Sequence, residues 1–515
     1  MTGRLEPFAT AARLEHVDVP NGLPRRIHLL GIGGAGVSGA ARLLVARGHA
    51  VSGHDLAPSP LARGLAELLI PIEIGPSRAQ SLPCDAELVV RSAAVPADDP
   101  QVLAAQGRGI AVLKYAQLLG RLAPPARTLA VAGTHGKTTT TWMLYRALAA
   151  LAARGEGLPL YDERARRGLR AGALVGGLDR ELGVNAIPPN PDGWFAVEAC
   201  EYDRSFLELT PFAAAITNVD ADHLDCFGDL AGVTRAFVEF AGRVNPRGLL
   251  VLGRDVPQSV EAAAHCRVWR LGRELLIDDL GLVDGRAVFS LVGPPPLGLP
   301  PGSTGWRVER IELSVPGRFN AENAAVAIGL CLGAAGDQGL GEAASAAAAV
   351  AAYPGAARRF EPWGEVFGVR LVHDYAHHPT EVRATLEAAR GAAPGAPLAV
   401  LFQPHQGTRT AHFLEEFADA LCTADFIVVA DVYGARRAAA GEPLAAAPEL
   451  VAALERRGAR VLFGGPLREA ARLFARNVPM GALALVVGAG DIDRIKDDLC
   501  DDLALRSRPE SASRR

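Results

Sequence analysis

The first part of the chain alternates short apolar runs with longer stretches rich in alanine and leucine. Arg26–Leu30 is an apolar run that leads into glycines, and His49–Ser52, Leu88–Val90 and Ile110–Leu113 are runs of the same kind. Short apolar runs separated by helical stretches are typical of buried parallel strands joined by crossover helices. The pattern predicts a βαβ arrangement up to about Pro125.

A second series of apolar runs begins after the helix-breaking sequence Ala123-Pro124-Pro125-Ala126. The series predicts three strands, at Thr128–Ala132, Phe195–Val197 and Ala213–Thr217. A stretch rich in glycine and proline then extends from Val292 to Gly302, and an alanine-rich helix is predicted after Asn320. A third series predicts four more strands separated by helices, at Arg370–His373, Leu398–Phe402, Phe426–Ala430 and Ala484–Val487.

These three series predict an α/β protein of three domains. We expect a Rossmann-like N-terminal domain, a central P-loop-type ATPase domain with a parallel sheet, and a C-terminal Rossmann-like α/β domain. The predicted segments are a lead at 1–23, domains at 24–125, 126–357 and 358–505, and a disordered tail at 506–515. A chain of 515 residues is long enough for about three cores.

Composition and charge narrow the class of partner. The net charge of −4 and the pI near 6.3 offer no basic surplus for nucleic acid or an anionic membrane. No signal-peptide core or apolar span is recognisable near the N-terminus, and the seven cysteines never form a C-x-x-C pair. We therefore expect a cytoplasmic protein with small-molecule substrates, and the sequence leaves its oligomeric state open.

The first candidate site is the glycine-rich segment Gly31-Ile-Gly33-Gly34-Ala-Gly36, a G-x-G-x-x-G pattern between a predicted strand and helix. Asp55 ends the following strand. Glycines so placed let backbone amides approach a diphosphate at a helix N-terminus. The pattern alone leaves three interpretations open: a tight turn without ligand, a nicotinamide or flavin site, and a sugar-nucleotide site.

The second candidate site is Gly133-Thr134-His135-Gly136-Lys137-Thr138-Thr139, between a predicted strand and a helix. Backbone amides there can cradle phosphates, Lys137 can reach the β and γ phosphates, and the Thr138 hydroxyl can bind Mg²⁺. The chain has only two other lysines, Lys114 and Lys496, so a lysine in this turn is a more specific signal than in a lysine-rich chain. The segment predicts ATP binding.

Acidic and histidine side chains follow three further strands. Glu198 begins a cluster of carboxylates that can hold Mg²⁺, and His223 stands among aspartates at the end of another strand. In the third series, Asp374 can bind ribose hydroxyls, and His377, His378 and Arg409 can orient a substrate carboxylate. A zinc site at the paired histidines lacks a matching set of further ligands.

These segments, in this order, resemble the Mur ligase family over roughly residues 26 to 492. The resemblance rests on G-x-G-x-x-G, G-T-H-G-K-T-T-T, E-A-x-E-x-D-x-S-F, T-N-x-x-x-D-H-x-D, P-G-x-x-N-x-x-N-A, R-R-F and D-Y-x-H-H-P-T-E. Gln403-Pro-His405 and Asp431-Val-Tyr433 resemble the branch that attaches L-alanine, rather than the recycling branch that attaches a tripeptide. No lysine lies between Lys137 and Lys496 to act as the carbamoylated metal ligand of later-acting relatives.

The resemblance implies an ATP-dependent ligase that joins L-alanine to the carboxylate of UDP-N-acetylmuramate through an acyl phosphate, in peptidoglycan precursor synthesis. It implies catalytic roles for Lys137, His223 and Arg359, and Mg²⁺ ligands at Thr138, Glu198 and His223. It further implies nucleotide contacts at Asn320, Asn323, Arg359 and Asp374, UDP-sugar contacts at Gly31, Gly33, Gly34, Gly36, Ser38, Asp55 and Ser92, and amino-acid contacts at Tyr375, His377, His378, His405 and Arg409.

Three residues depart from the family pattern. Phe319 stands where many relatives have histidine, Cys200 replaces a common aspartate, and Gln406 stands where an arginine often helps to bind the amino acid. The alternatives that remain are the tripeptide-recycling ligase, a Rossmann oxidoreductase that uses NAD, and a binding protein that has kept the fold without turnover. The oxidoreductase leaves the lysine-bearing loop unexplained.

Overall fold

The computed structural model describes residues 22–154, 171–300, 302–335, 340–434 and 447–506. Of the predicted lead and tail, residues 1–21 and 507–515 lie outside the described residues. The described chain divides into two compact units, the first running to Pro124 and including Asn185–Pro188, the second comprising the remainder. The division after Pro124 lies next to the boundary expected from the sequence. The second unit contains both segments expected to be separate domains, and a boundary between residues 357 and 358 stays a prediction.

The first unit is built on a parallel sheet. Its elements are β1 (Arg26–Leu30), α1 (Ala35–Ala46), β2 (Ala50–Asp55), α2 (Pro60–Ala66), β3 (Ile72–Ile74), β4 (Leu88–Arg91), α3 (Pro100–Gly107), β5 (Ala111–Lys114) and α4 (Tyr115–Leu122). The five strands lie in the order β3-β2-β1-β4-β5. β1 pairs with β2 on one side and β4 on the other, so the strand order reverses there. Such a switch point opens a crevice beyond the carboxyl ends of the strands.

The second unit begins with another parallel sheet. Its elements are β6 (Thr128–Ala132), α5 (Lys137–Arg154), β7 (Gly172–Leu174), β9 (Phe195–Glu198), β10 (Ala213–Ile216), α6 (Leu224–Phe227), α7 (Leu230–Ala241), β11 (Leu249–Leu252), α8 (Gln258–Ala262) and β12 (Arg267–Arg270). The strand β8 (Ala186–Ile187), which comes between β7 and β9 in the sequence, belongs to the first unit. The strands of the second unit follow the order β12-β11-β10-β6-β9-β7. β6 is fully buried between β10 and β9, which brings the loop after β6 beside the ends of both neighbours.

Three antiparallel strands follow, in the order of the sequence. They are β13 (Leu276–Val283), β14 (Arg286–Gly293) and β15 (Trp306–Pro316), and two helices come after them, α9 (Phe319–Ala335) and α10 (Leu340–Ala351). α9 is buried on nearly every side and packs against α5 and α10. A helix that is apolar all round belongs in a core. The first turn of α9 lies beside the N-terminus of α5, because Asn323 approaches Gly136.

The last sheet of the second unit is almost entirely parallel. Its elements are β16 (Glu361–Val366), β17 (Val369–Asp374), α11 (Pro379–Ala392), β18 (Leu398–Phe402), α12 (Gly407–His412), α13 (Leu414–Leu421), β19 (Phe426–Ala430), α14 (Ala447–Arg456), β20 (Val461–Gly465), α15 (Leu467–Asn477), β21 (Leu483–Val487) and α16 (Lys496–Leu505). Six strands lie in the order β16-β17-β21-β18-β19-β20, and only β16 is antiparallel to its neighbour. Both faces are covered by apolar cores.

The predicted α/β fold class is confirmed, and the ends of the predicted strands lie within about three residues of the observed ones. The sequence analysis missed the antiparallel sheet β13-β14-β15. Its strands alternate charged and apolar residues on an exposed sheet, unlike the continuous apolar runs of parallel strands. None of the described helices combines the length and the apolar character needed to cross a membrane.

Candidate active site

The loop after β6 has the geometry of a phosphate-binding turn. Gly133 and Gly136 adopt positive φ values of 135° and 81°, and α5 begins directly after them at Lys137. A Cβ atom on Gly133 would overlap Thr217 Oγ1, and one on Gly136 would lie 2.6 Å from Asn323 Oδ1. Both positions therefore require glycine. The exposed amides of a helix N-terminus attract anions, so this loop can hold phosphates.

Lys137 folds back over the loop from which it starts. Its Nζ donates to the carbonyl oxygens of Gly133 and Thr134, at 2.6 and 2.9 Å, and lies 2.8 Å from Glu201 Oε2. Burial would lower the pKa of Lys137, but the adjacent Glu201 carboxylate outweighs burial and raises it. The ammonium group is thus charged at neutral pH, at the point where a phosphate would meet the loop.

Thr138 and Glu198 face each other across the ends of α5 and β9. The Thr138 hydroxyl lies 3.1 and 3.0 Å from the two carboxylate oxygens of Glu198, and Glu198 Oε2 also accepts a bond from the Gly176 amide. A hydroxyl and a carboxylate are the oxygen ligands that Mg²⁺ prefers. These two predicted metal ligands are therefore brought together.

His223, the third predicted metal ligand, lies beside Glu201 and Asp222. Its Nε2 is 3.7 Å from Glu201 Oε1, and its buried Nδ1 has no hydrogen-bond partner within the described chain. Burial lowers the pKa of His223 and favours the neutral ring, the form that binds metals. Glu201 links Lys137 to His223, whereas the sequence analysis placed it only within the carboxylate cluster that Glu198 begins. The second glutamate of E-A-x-E was the available signal.

A cavity of about 390 Å³ opens beside the phosphate loop. The predicted nucleotide-binding residues that line it are His135, Gly136, Thr138, Thr139, Asn320, Asn323, Arg359 and Asp374. Asn323 donates to Asn320 Oδ1 at 2.9 Å, so the first turn of α9 forms a fixed polar wall. Binding pockets for small molecules have volumes from about 300 Å³ upwards, and the cavity is of that size.

Asp374 ends β17 and lines this cavity. Its carboxylate accepts bonds from the backbone amides of Phe360 and Ala376, at 2.7 and 2.8 Å, and burial raises its pKa. These bonds fix the segment that bears Arg359. The predicted contact of Asp374 with ribose stays a prediction.

An ionic network connects the phosphate loop to Arg359. His135 Nε2 lies 3.1 Å from Asp220 Oδ2, and His135 Nδ1 lies 3.3 Å from Glu381 Oε1. The same Glu381 oxygen is 3.7 Å from the Arg359 guanidinium. Burial would lower the pKa of His135, but its hydrogen bond to Asp220 and its contact with the Glu381 carboxylate outweigh burial and raise the pKa to about 9. A charged His135 therefore separates two carboxylates.

The free energy of unfolding is expected to fall as the pH rises from about 6.5 to about 9, because His135 then loses its proton. His135 has a folded pKa of about 9 against 6.5 unfolded. Its contribution is therefore complete below about pH 6.5 and is lost towards pH 9, a change on the order of 3 kcal/mol. Urea midpoints measured at several pH values should fall across this interval, and less so in His135→Gln. The exposed His265→Gln is the control, and equal slopes in all three proteins would contradict the prediction.

A second cavity, of about 260 Å³, lies between α6 and α12. Its lining includes Asp222, His223, Gln406 and Arg409. Arg409 donates to Asp222 Oδ1 through Nε and Nη2, at 3.1 and 2.6 Å, and both side chains are buried. Burial would raise the pKa of Asp222, but the Arg409 guanidinium holds it well below its usual range. Arg409 thus reaches this cavity already paired with a carboxylate, which the sequence did not indicate.

The other predicted amino-acid contacts form a row of rings beside Arg409. The ring centroids of Tyr375 and His377 lie 5.2 Å apart, and those of His377 and His405 lie 5.6 Å apart. His405 Nδ1 is 3.2 Å from Arg409 Nη1. His378 points elsewhere. Its Nδ1 accepts a bond from the Thr380 amide at the start of α11, and its Nε2 lies 3.0 Å from the Ala221 carbonyl. Both ring nitrogens of His378 are engaged within the protein, so its position is that of a helix cap.

The glycine-rich loop of the first unit has an equally defined geometry. Gly33 N donates to Asp55 Oδ2 at 2.8 Å, and a Cβ on Gly31, where φ is 74°, would lie 2.9 Å from Ser92 Cβ. Gly34 immediately precedes α1, and Gly36 lies against the ring of Tyr115. Ser38 is buried and accepts a bond from Asn185 Nδ2. The loop is therefore a turn at a helix N-terminus that can approach a diphosphate.

Comparison with known proteins identifies the family. Three family models match, described as Mur ligase family, catalytic domain (26–127), Mur ligase middle domain (193–331) and Mur ligase, glutamate ligase domain (358–490). The UDP-N-acetylmuramate--L-alanine ligase of Kineococcus radiotolerans is 40% identical, with 93% of this chain and 97% of the relative covered. The same-named protein of Renibacterium salmoninarum is 39% identical, with 93% and 96% covered.

A solved structure shows the same fold. The UDP-N-acetylmuramate-alanine ligase of Thermotoga maritima aligns with a TM-score of 0.73 at 24% identity, covering 94% of this chain and 100% of that one. The likeness to this structure concerns the fold, whereas the identity to the curated relatives extends over nearly the full length of both sequences. The chain therefore belongs to the Mur ligase family.

Proposed function

We propose that the protein is an ATP-dependent ligase that joins L-alanine to the carboxylate of UDP-N-acetylmuramate in peptidoglycan precursor synthesis. The observation that carries the proposal is the lysine-bearing phosphate loop beside Thr138 and Glu198. This arrangement occurs in a chain 40% identical, over almost its whole length, to a relative named for this reaction. The function therefore has support from a chemical site and from similarity.

The chemistry follows from the poor reactivity of a carboxylate towards amines. A carboxylate oxygen of UDP-N-acetylmuramate attacks the γ-phosphorus of ATP, and ADP leaves, which gives an acyl phosphate. Phosphoryl transfer needs positioning and neutralisation of negative charge rather than covalent help from the protein. Lys137 in the loop and Arg359 on the opposite wall of the nucleotide cavity provide positive charge there.

Magnesium fits the residues that surround this point. Thr138 and Glu198 offer a hydroxyl and a carboxylate 3.0 Å apart, and the buried Nδ1 of His223 has no bond to any described group. Thr138 and Glu198 would hold one Mg²⁺, and His223 would hold a second. When bound, Mg²⁺ supplies charge neutralisation for phosphate oxygens. The lysine loop and Arg359 orient the phosphates of ATP towards the carboxylate of UDP-N-acetylmuramate.

The second cavity is the proposed site of L-alanine. The amine of L-alanine attacks the acyl carbon, and phosphate leaves with the bridging oxygen. Arg409 and Gln406 line this cavity, and His405 and His377 continue in a row from Arg409, so these side chains can orient the amino-acid carboxylate. Because Asp222 already neutralises part of the charge on Arg409, the neighbouring histidines and the Gln406 amide share the task of recognising that carboxylate.

The glycine-rich loop of the first unit is the proposed site of the UDP diphosphate. Its backbone amides and the start of α1 suit a diphosphate, and Asp55 and Ser92 flank the loop. Both nucleotide substrates are small molecules of the cytoplasm, so that compartment remains the expected one. A nicotinamide at this loop would leave the lysine loop without a function.

Phosphate release tests the proposal directly. With ATP, Mg²⁺ and UDP-N-acetylmuramate present, L-alanine is expected to give stoichiometric ADP, phosphate and amide product. Glycine and L-serine should react less efficiently, because a methyl or hydroxyl group changes binding by about 1–3 kcal/mol. Turnover with the tripeptide L-alanyl-γ-D-glutamyl-meso-diaminopimelate but not with L-alanine would instead identify a recycling ligase. A change in nicotinamide absorbance without phosphate release would contradict both.

A further inference from the structure

A buried cluster of charged residues lies outside the catalytic groups. Arg146, in the middle of α5, places Nη2 at 3.0 and 2.9 Å from the two carboxylate oxygens of Asp179, and its Nη1 at 2.9 Å from Glu181 Oε2. Asp179 is fully buried, and only 10% of the Arg146 side chain is exposed. Desolvating two charges is costly. The proposed reaction uses neither Arg146 nor Asp179, so the cost of burying this pair calls for another role.

The cluster is connected to the segment that bears Arg359. Asp179 forms an isolated antiparallel bridge with Ala356, the Ala357 amide donates to the Leu178 carbonyl at 2.8 Å, and the Arg180 amide donates to the Gly355 carbonyl at 3.1 Å. Three consecutive residues of one loop thus hold three consecutive residues of the other. The carboxylate that Arg146 binds belongs to the central residue of this short pairing.

Two features carry this constraint forward to Arg359. The residues on either side, Arg358 and Phe360, adopt left-handed φ values of 62° and 43°, so the backbone turns sharply around Arg359. The Arg146 guanidinium carbon lies 5.7 Å from the centroid of the Tyr353 ring. Tyr353 in turn lines the nucleotide cavity together with Ala356 and Arg359. Left-handed backbone at residues other than glycine persists only where surrounding contacts hold it. Asp374 holds the Phe360 amide, and the Arg359 amide donates to the Ala356 carbonyl at 3.3 Å, which ties this turn to the paired segment.

We propose that Arg146 and Asp179 are positioning residues that hold the Arg359 guanidinium in place at the nucleotide cavity. The inference rests on the proposed function, because it assigns Arg359 to the phosphates of ATP. The ion pair links α5, which begins at the phosphate loop, with the segment 355–357 that leads into Arg359. The two walls of the nucleotide cavity are thereby kept in register.

The test is a binding cycle between the cluster and Arg359. The double variant Arg146→Met/Asp179→Asn removes both buried charges, so neither is left unpaired. The amide side chain at position 179 keeps an oxygen that can accept the hydrogen bonds that the Glu181 and Leu182 backbone amides donate to Asp179 Oδ1. The affinity of this double variant for ATP with Mg²⁺, measured by calorimetry, is expected to fall roughly 10-fold, the scale of one charge-assisted hydrogen bond. The same pair of changes introduced into Arg359→Ala should have less than about a twofold effect, because groups that act through one residue are not additive.

Two results would overturn the inference: unchanged ATP affinity in the double variant, or an equal loss with and without Arg359. Arg146→Lys serves as a second variant that keeps a charge next to Asp179 but cannot contact Asp179 and Glu181 together. Its loss should be smaller, roughly threefold, and should also vanish in Arg359→Ala. The readout is binding, so a wild-type protein that binds ATP but forms no amide would refute the proposed function and leave this cycle interpretable.

Discussion

Replacement of Lys137 by alanine is expected to lower kcat for phosphate release by about 10²–10³-fold, the usual cost of removing one charged group that stabilises a transition state. Lys137 carries a full charge at the N-terminus of α5, 2.6 Å from the Gly133 carbonyl. No other lysine lies in the phosphate loop. We expect KM for UDP-N-acetylmuramate to change little, because that substrate is assigned to the loop of the first unit.

The variant must be separated from a loss of folding. Glu201 is only 2% exposed and lies 2.8 Å from Lys137 Nζ, so Lys137→Ala leaves an unpaired buried carboxylate. The variant Lys137→Ala/Glu201→Gln removes both charges and should be as inactive as the single variant but more stable. Lys496→Ala, which removes a lysine stacked on Trp363, is the matched control. Activity within about tenfold of wild type in both Lys137 variants would contradict the assigned role.

Replacement of Glu198 by glutamine is expected to raise the Mg²⁺ concentration needed for half-maximal activity by about 10–100-fold. Glutamine keeps an oxygen for the Gly176 amide and for the Thr138 hydroxyl, which now bond to the carboxylate at 2.6 and 3.0 Å. Only the charge is lost, and a carboxylate binds Mg²⁺ far better than an amide does. High Mg²⁺ should therefore restore much of kcat.

The measurement is initial rate against free Mg²⁺ at saturating ATP. Glu208→Gln is the matched control, because Glu208 ends the short helix that follows β9 and is exposed. The control should follow the wild-type titration. A Glu198→Gln enzyme with a low kcat that no Mg²⁺ concentration improves would assign Glu198 to a structural role instead.

The ends of buried strands were predictable because their local pattern is strong. β18 and β19 match the predicted ranges, and the loops after β6, β9 and β17 follow the runs that predicted them. Parallel strands buried on both faces form continuous apolar runs. Side chains that follow such runs gather at one edge of the sheet, so Thr138 and Glu198 could be expected to lie close together from the sequence alone.

Pairings between distant segments were not predictable. Arg409 was expected to bind a substrate carboxylate, and it forms a buried pair with Asp222, which lies 187 residues away. His378 was expected to contact the amino acid, and its ring caps α11 and contacts the Ala221 carbonyl. A single sequence shows which residues are polar, but it does not show which polar group compensates another once both are buried. Arg146 and Asp179 escaped notice for the same reason.

Gln406 is the departure from the family pattern that the site makes most consequential. It is only 9% exposed, lines the second cavity and directly precedes α12 with a φ of 68°. Its neutral amide contributes hydrogen bonds but no charge. With Arg409 paired to Asp222, the cavity offers less net positive charge to the amino-acid carboxylate than an arginine at 406 would give. Recognition there depends more on hydrogen bonds and shape than on charge.

Transfer of oxygen from substrate to phosphate tests the central claim most directly. UDP-N-acetylmuramate labelled with ¹⁸O in its carboxylate would be incubated with ATP, Mg²⁺ and L-alanine, and the released phosphate analysed by mass spectrometry. Because the carboxylate oxygen that attacks ATP leaves with the phosphate, one ¹⁸O should appear in phosphate for each amide formed. Amide formed with unlabelled phosphate, or phosphate released without amide, would contradict the proposed ligase mechanism.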